Sequence, residues 1–332
     1  MEAQLRSQVH SERVALEKVI PLVTPFVVYL EPSGYCNLKC KFCPHGVAGS
    51  PLKKDIMSLE LFKKVIDDLT AFPEKIKLMR VCGNGDPLTN KALVSMVEYA
   101  HERQVLERIE LISNGVLLTP HLIENLPHFV DRIVISIEGL SADDYLRICG
   151  VRVDFEKLVW NIGALHGSKG ECVLHVKIHH AAVPTAEKRE EFLTTFGRIC
   201  DEIFVENLVP MWPQCDSPYS SSVFRYNNGD VVKRKVCAQI FKGVQVQADG
   251  EVLPCCVDWK RVNLLGNVKD EPLRDIWNGS RMRKLQIDHL SGKKARLKLC
   301  RDCAMNDYCE VDNLDGHAQE CIERLKRDEL IH

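Results

Sequence analysis

Long apolar runs are missing from this chain of 332 residues, and none approaches the roughly 18 consecutive apolar residues of a membrane-spanning helix. A surplus of one charge sign is missing too. Lys+Arg 44 against Asp+Glu 46 leaves a formal net charge of -2, with no basic excess to hold nucleic acid. Low-complexity tracts are absent, and 45% hydrophobic residues is the composition of a folded chain. The opening segment, MEAQLRSQVHSERVALEKVI, is charged throughout and offers no apolar signal core. Arg327-Asp328-Glu329-Leu330 has the letters of an ER-retention signal, but Ile331 and His332 follow it. No Walker loop and no Ser-His-Asp arrangement stands out, which leaves kinase and hydrolase readings without support. The expectation is a cytoplasmic protein with neither a membrane nor a nucleic-acid partner.

What is plentiful is cysteine, with 15 residues. In a long chain without a secretion signal, such usage points to metal or redox chemistry rather than a disulfide framework. Six apolar, β-branched runs at 26–30, 77–81, 108–112, 132–137, 173–179 and 203–209 read as strands. Helical patterns at 57–70, 89–104, 119–126, 154–166 and 185–198 alternate with them. Repeated β–α units imply parallel strands with right-handed crossovers, and six units are fewer than a closed barrel uses. The fold class is therefore α/β, a partial (β/α)6 TIM-like barrel over 26–210 behind an N-terminal helical extension over 1–25. Residues 211–236 read as a linker rich in Pro, Ser, Asn and Gly, and 237–332 as a small Cys-rich module. Asp249-Gly250 between alternating residues marks a hairpin inside that module.

Directly after the first strand stands Cys36-Asn37-Leu38-Lys39-Cys40-Lys41-Phe42-Cys43. Three thiolates on one short loop can hold three irons of a [4Fe-4S] cube and leave the fourth open to a small molecule. The plain reading is a zinc knuckle, but zinc sites ordinarily take four protein ligands in paired C-x2-C spacing. The loop resembles that of the radical SAM superfamily, whose hallmark is C-x3-C-x2-C with an aromatic residue, here Phe42, before the last Cys. The resemblance implies that Cys36, Cys40 and Cys43 ligate the cluster and that its open iron binds S-adenosylmethionine. Reductive cleavage then yields a 5′-deoxyadenosyl radical that abstracts hydrogen from substrate.

The same resemblance assigns further residues at the strand ends. Gly83-Asn84-Gly85-Asp86-Pro87 stands where the family binds the SAM amino group, which brings in Gly85 and Asp86. Ser113 and Asn114 match its Thr-Asn-Gly turn. Ser136 and Glu138, on one face of a period-two strand, would approach the SAM ribose. Relatives carry Arg-Gly shortly afterwards; here Cys149-Gly150 takes that place, and Arg147 is the stand-in for the carboxylate partner. Val183 would lie against adenine. Each also has a bland reading, as an ordinary turn, a strand-end polar group or core. His179-His180 ends a strand either as a satisfied pair or facing the barrel mouth.

Cys237, Cys255 within Gly250-x4-Cys255, and Cys300-Arg301-Asp302-Cys303 form a second set. Spacing alone also suits structural zinc. The tail resembles the SPASM/twitch module of the same family, which carries an auxiliary [4Fe-4S] cluster. The full two-cluster pattern is incomplete, because Asn313 occupies a Cys position. In a twitch-like scheme Cys237, Cys255, Cys300 and Cys303 hold one cluster. In a SPASM-like scheme Cys300, Cys303, Cys309 and Cys321 hold it. The first is favoured, because its loop spacings resemble those of an aminocyclitol dehydrogenase of the family.

The activity implied is oxidation of a carbohydrate, aminocyclitol or polyol, driven by a flavodoxin- or ferredoxin-type reductant. The few residues before 26 are too short for a leader-peptide-binding domain. An alternative is a peptide or sugar epimerase, or a peptide maturase, with Cys149 or Cys256 as hydrogen donor. A third, from another class, is a non-catalytic iron–sulfur electron carrier.

Overall fold

The apolar, β-branched runs bounded by polar turns fold into parallel strands whose connecting helices cover one face of a single sheet. The computed structural model describes residues 3–7, 14–213, 215, 217–220 and 223–329. The strands are β1 (Gln4–Leu5), β2 (Val27–Leu30), β3 (Leu78–Val81), β4 (Ile109–Ser113), β5 (Arg132–Ile137), β6 (Val173–His179), β7 (Glu202–Glu206), β8 (Gly243–Val246), β9 (Glu251–Leu253) and β10 (Gly266–Asn267). Their order across the sheet is β1-β7-β6-β5-β4-β3-β2-β8-β9-β10. From β2 to β7 every pairing is parallel, as the alternating β–α pattern requires. This is the open, partial barrel expected from the sequence.

The helices form for ordinary reasons. Ser58 caps Leu59–Asp68 by accepting from the Leu61 N–H at 3.1 Å, and the helix buries Phe62, Val65 and Ile66 against the sheet. Each such side chain contributes about 1.5–3 kcal/mol of burial. Helix Ala142–Cys149 escapes a pattern search because it is short. Its caps are nonetheless written in the sequence: Ser141 accepts from the Asp144 N–H, and Gly150 closes the end at φ +64°.

Three features differ from the sequence expectation. Where a helical extension is expected over 1–25, residues 3–7 contain the strand β1, and among the described residues of that segment helix is found at Leu16–Val19. The open edge of β7 recruits that strand, since Gln4 and Arg6 donate their N–H groups to Asp201 and Ile203 carbonyls at 2.8 and 3.2 Å. Residues 1, 2, 8–13 and 330–332 lie outside the described residues, as do 214, 216, 221 and 222 of the linker. Second, β7 ends at Glu206 rather than 209, because Asn207 turns away to bond the carbonyls of Arg225 and Tyr226. Third, the hairpin forms at Asp249-Gly250, with Gly250 at φ +89°, but its first strand is not in a separate sheet. β8 pairs parallel with β2, so the Cys-rich module extends the barrel sheet.

On the face away from the helices, toward the strand starts, a row of polar side chains crosses the sheet in register. Tyr29, Arg80, Glu110 and Arg132 are direct cross-strand partners. Arg80 stacks on the Tyr29 ring at 5.6 Å and pairs with Glu110 at 2.6 Å. Arg132 lies 3.6 Å from Glu110, reaches Glu202, and places Nη2 2.8 Å from His175 Nδ1. Arg6 closes the row on Glu202 at 3.1 Å.

Burial alone would raise Glu202, but the surrounding His175, Arg132 and Arg6 outweigh it and hold the carboxyl at about 2. Replacing Arg132 by Met takes one partner from each of two buried carboxylates, leaving Glu110 to Arg80 and Glu202 to Arg6 and His175, and we expect the apo-protein to lose about 1.5–3 kcal/mol in urea unfolding. Between pH 4.5 and about 2 the unfolded chain takes up a proton at Glu202 that the folded chain refuses. Wild-type stability should therefore fall with acid through that window, and Glu202→Gln should show a shallower fall.

Candidate functional site

The C-terminal ends of β2 to β6 form one rim, and the first cysteine loop lies across it. Backbone bonds fix that loop before any ligand is considered. Lys39 and Lys41 donate to the carbonyls of Cys149 and Ile148, both at 3.0 Å, and Cys43 and Gly46 donate to Cys40 and Cys43 at 3.0 and 2.9 Å. Glycine is required where the loop closes, since a Cβ at Gly46 would lie 2.2 Å from the Cys40 carbonyl oxygen. Gly85 is equally confined, with Ser33 and Tyr35 carbonyl oxygens 2.2 and 2.4 Å from the place of its Cβ.

Asp86 is the knot beneath the rim. Its buried carboxylate accepts from the Ser113 hydroxyl at 3.0 Å and from the N–H groups of Asn114 and Leu88 at 2.8 and 2.9 Å. Its bonding capacity is spent inside the protein, which ties the loops after β3 and β4 together. Asn114 in turn donates to Asn37 Oδ1 at 2.9 Å and lies 3.8 Å from Cys36 Sγ.

Phe42 sets its ring edge-on to His179 at 5.0 Å between centroids. The Ala182 N–H donates to His179 Nδ1 at 3.2 Å, so the imidazole proton sits on Nε2, which lies 3.2 Å from Glu138 Oε2. Thus His179 does face the rim. Ser136 is half-buried and pairs in register with Lys177, whose ammonium bonds Glu206 at 2.9 Å. Tyr226 hydrogen-bonds Glu206 from the linker side.

Other sequence-derived positions are placed less centrally. Arg147 is half-exposed and held by Asp144 at 2.7 Å. Val183 is fully buried in the core. Cys149 is fully buried, with Sγ 3.4 Å from Cys40 Sγ.

The second set converges on one cavity. Cys237, Cys255, Cys300 and Cys303 line it together with Met305 and His289. Cys321 does not; it is buried in a separate apolar cluster with Leu16, Ile20 and Leu325. Cys309 and Cys256 pack beside Cys303 and Met305 in the adjoining cluster. Among the described residues no three His, Cys, Asp or Glu side chains converge on a single ion position. Burial pushes Cys36, Cys43 and Cys300 up to about 12 and raises Cys237 and Cys255 as well. Four soft donors around one apolar cavity, and three on a pinned loop, fit iron–sulfur cubes.

Sequence reasoning missed two residues. Glu31, one residue past β2, accepts from the N–H groups of Asn84 at 2.6 Å and Ala248 at 3.4 Å, and burial raises it to about 7. A carboxylate ending an apolar strand was its signal. His289 on helix Ser280–Leu290 carried none, because its role comes only from convergence.

Comparison with known proteins agrees with this geometry. Residues 30–195 match the radical SAM superfamily, and residues 237–304 match an iron–sulfur cluster-binding domain, SPASM. The chain is 26% identical to the tungsten-containing aldehyde ferredoxin oxidoreductase cofactor-modifying protein of Pyrococcus furiosus, covering 90% of this chain and 94% of that one. The crystal structure of BtrN in complex with AdoMet and 2-DOIA superposes with TM-score 0.55 at 17% identity, covering 84% of this chain and 92% of that one. Streptococcus suis SuiB bound to its precursor peptide SuiA superposes with TM-score 0.60 at 15% identity, covering 91% and 74%.

The knot at Asp86 generates a stability prediction. Asp86→Ala leaves the Ser113 hydroxyl and two buried N–H groups unpaired, at about 1–3 kcal/mol each in the absence of water entry. We expect a loss of at least about 2 kcal/mol in apo-protein unfolding, and poorer iron loading of the adjacent loop. Unchanged unfolding would show that the rim does not depend on this carboxylate.

Proposed function

Because the chain belongs to the radical SAM superfamily and carries that family's iron–sulfur cluster-binding domain, we propose that it oxidises a hydroxyl-bearing small molecule: a carbohydrate, an aminocyclitol or another polyol. When bound, the cluster and S-adenosylmethionine supply a 5′-deoxyadenosyl radical, and the auxiliary cluster accepts the second electron. Cys36, Cys40 and Cys43 hold the first cluster, and Cys237, Cys255, Cys300 and Cys303 the second. Phe42, Gly85, Asn114, Ser136 and Glu138 shape the SAM side of the rim, while Asp86 and Ser113 brace it from below. A flavodoxin- or ferredoxin-type protein of the cytoplasm supplies the electrons.

The observation that carries this reading is a buried polar group beside Cys309. Lys177 and Glu206 are each about nine-tenths buried, with side chains 13% exposed, and Tyr226 joins them. Burial and the neighbouring Glu206 both raise Tyr226, so it stays a neutral donor. Glu206 also faces Cys309, which packs on Cys303. A hydroxyl substrate beside Lys177, Glu206 and Tyr226 would meet donors and acceptors, with Cys309 leading from that group toward Cys303 of the auxiliary set. With the cofactors bound, the radical from S-adenosylmethionine would take the C–H hydrogen and the auxiliary cluster the electron, while a side chain of this polar group would take the O–H proton.

A peptide or sugar epimerase is the second reading, and Cys256 favours it. That thiol is only partly buried, and Arg80 and Cys82 of the lumen are its neighbours. Cys149, closed in against Cys40, is the poorer hydrogen donor of the two.

Anaerobic protein, reconstituted and reduced, should form 5′-deoxyadenosine when given SAM and a member of a polyol and aminoglycoside panel, with product two hydrogens lighter. A peptide panel that alone stimulates turnover, or product of unchanged mass carrying solvent deuterium, defeats the dehydrogenase reading. Cys256→Ala should leave a dehydrogenase working and stop an epimerase. For the ligand set, Cys321→Ala should keep about eight irons per chain and Cys300→Ala about four, at four per cube. Equal iron loss in both variants rejects the assignment.

A further inference from the structure

Four cysteines would account for the ligands of the auxiliary cavity, and the other polar groups of its wall include one imidazole nitrogen with nothing among the described residues to bond. His289 is fully buried and lines the cavity with Cys237, Cys255, Cys300 and Cys303. Its ring orientation is fixed from the backbone: the Cys237 N–H points at His289 Nδ1 at 3.4 Å. With Nδ1 as acceptor, a neutral imidazole carries its proton on Nε2. That Nε2 is buried and has no hydrogen-bond partner among the described residues. A buried N–H left unmade is expensive, so such groups point to a missing acceptor. The wall is apolar at Ile240, Val257, Leu285 and Met305, and its other polar side chains, Asn263, Lys294 and Asn306, do not hydrogen-bond the imidazole.

We propose that His289 donates an Nε2–H···S hydrogen bond to a sulfur of the auxiliary cluster and thereby makes that cluster easier to reduce. Sulfur of a reduced cube carries more negative charge than sulfur of an oxidised one, so a donor aimed at it stabilises the reduced state. The ring is a positioning and tuning residue rather than a ligand, since the four thiols already satisfy the irons. The Lys294 ammonium, bonded to the Cys303 carbonyl at 3.2 Å on the same wall, adds positive potential in the same sense. For an enzyme whose auxiliary cluster takes an electron from a substrate radical, this bond favours the forward direction. The inference rests on the ligand set proposed above, and the test separates the two.

The experiment uses the reconstituted two-cluster holoenzyme. EPR-monitored redox titration resolves the auxiliary cluster as the signal that does not change when SAM is added. In His289→Phe, which removes the donor, we expect the reduced-to-oxidised ratio of that cluster at fixed potential to drop about tenfold, equivalent to about 59 mV for one electron. His289→Gln, which restores an N–H, should recover most of the shift, while the SAM-responsive cluster keeps its potential in both. Wild-type protein labelled with 15N-histidine gives a readout that no variant's folding can spoil. Pulsed EPR should show one weak nitrogen coupling to the auxiliary cluster, of hydrogen-bond size. No coupling, or an unchanged potential in His289→Phe, overturns the proposal, and so does a coupling as large as that of a directly bound nitrogen. An iron count near four with the SAM-responsive signal intact overturns the ligand set itself, and the inference with it.

Discussion

Both cysteine sets are positioned by the two edges of β2. Val27–Leu30 is paired in parallel with β3 on one side and with β8 on the other. The first cysteine loop leaves the end of β2, and the second set begins just before β8 and continues just past β9. The separation of the sets is thus a matter of strand spacing, about 4.8 Å per step, and not of a flexible linker. Gly243 makes the close approach feasible, because a Cβ there would stand 2.5 Å from the Val27 carbonyl oxygen. Glu31 then fastens the far end, with one carboxylate accepting from the loop after β3 and from the turn after β8. A one-residue slip of β8 would face its side chains the wrong way and carry Cys255 off the cavity.

The barrel interior imposes a second constraint, and it works against stability taken alone. Glu110, Arg132 and Glu202 are almost fully enclosed, and Arg80 is largely so. Burying ions costs several kcal/mol each before their attraction is counted, and hydrophobic replacements in such sites are often neutral or better. What the row supplies is register: opposite charges meet only when β3, β4 and β5 align as observed. It also fills the lower lumen with side chains whose bonding is internal. Polar chemistry is thereby left to the upper layer, where Ser136, Lys177 and Glu206 lie below the rim.

Much of this was legible in the sequence, for identifiable reasons. The six barrel strands were readable because a parallel strand buried on both faces is a near-continuous apolar run, as in Arg132–Ile137 and Val173–His179. The first cysteine loop was readable because its three thiols are local. The second set is spread over 67 residues, and sequence left two pairings open; the fold brings Cys237 and Cys255 to Cys300 and Cys303 and leaves Cys321 under Leu325. What stayed hidden depends on tertiary edges. Nothing local in Gln4–Leu5 announces a strand, which exists because β7 offers an unpaired edge. His289 reads as one of 12 scattered histidines until the helix carrying it meets the cavity.

The thiols themselves explain why the loops are so firmly built. Ligation needs thiolates, yet burial holds Cys36, Cys43 and Cys300 near 12, far above neutral pH. Iron held by the proposed ligands would therefore displace a proton from each sulfur, and part of the ligation energy would be absorbed by that step. A small metal-dependent domain spends further ligation energy on ordering its chain. Here that cost is already met by the protein: Lys39 and Lys41 anchor one loop to helix Ala142–Cys149, and Asp258 anchors the other by accepting from the N–H groups of Val262 and Asn263, both at 2.8 Å. Preassembly leaves the metal only the protons to displace.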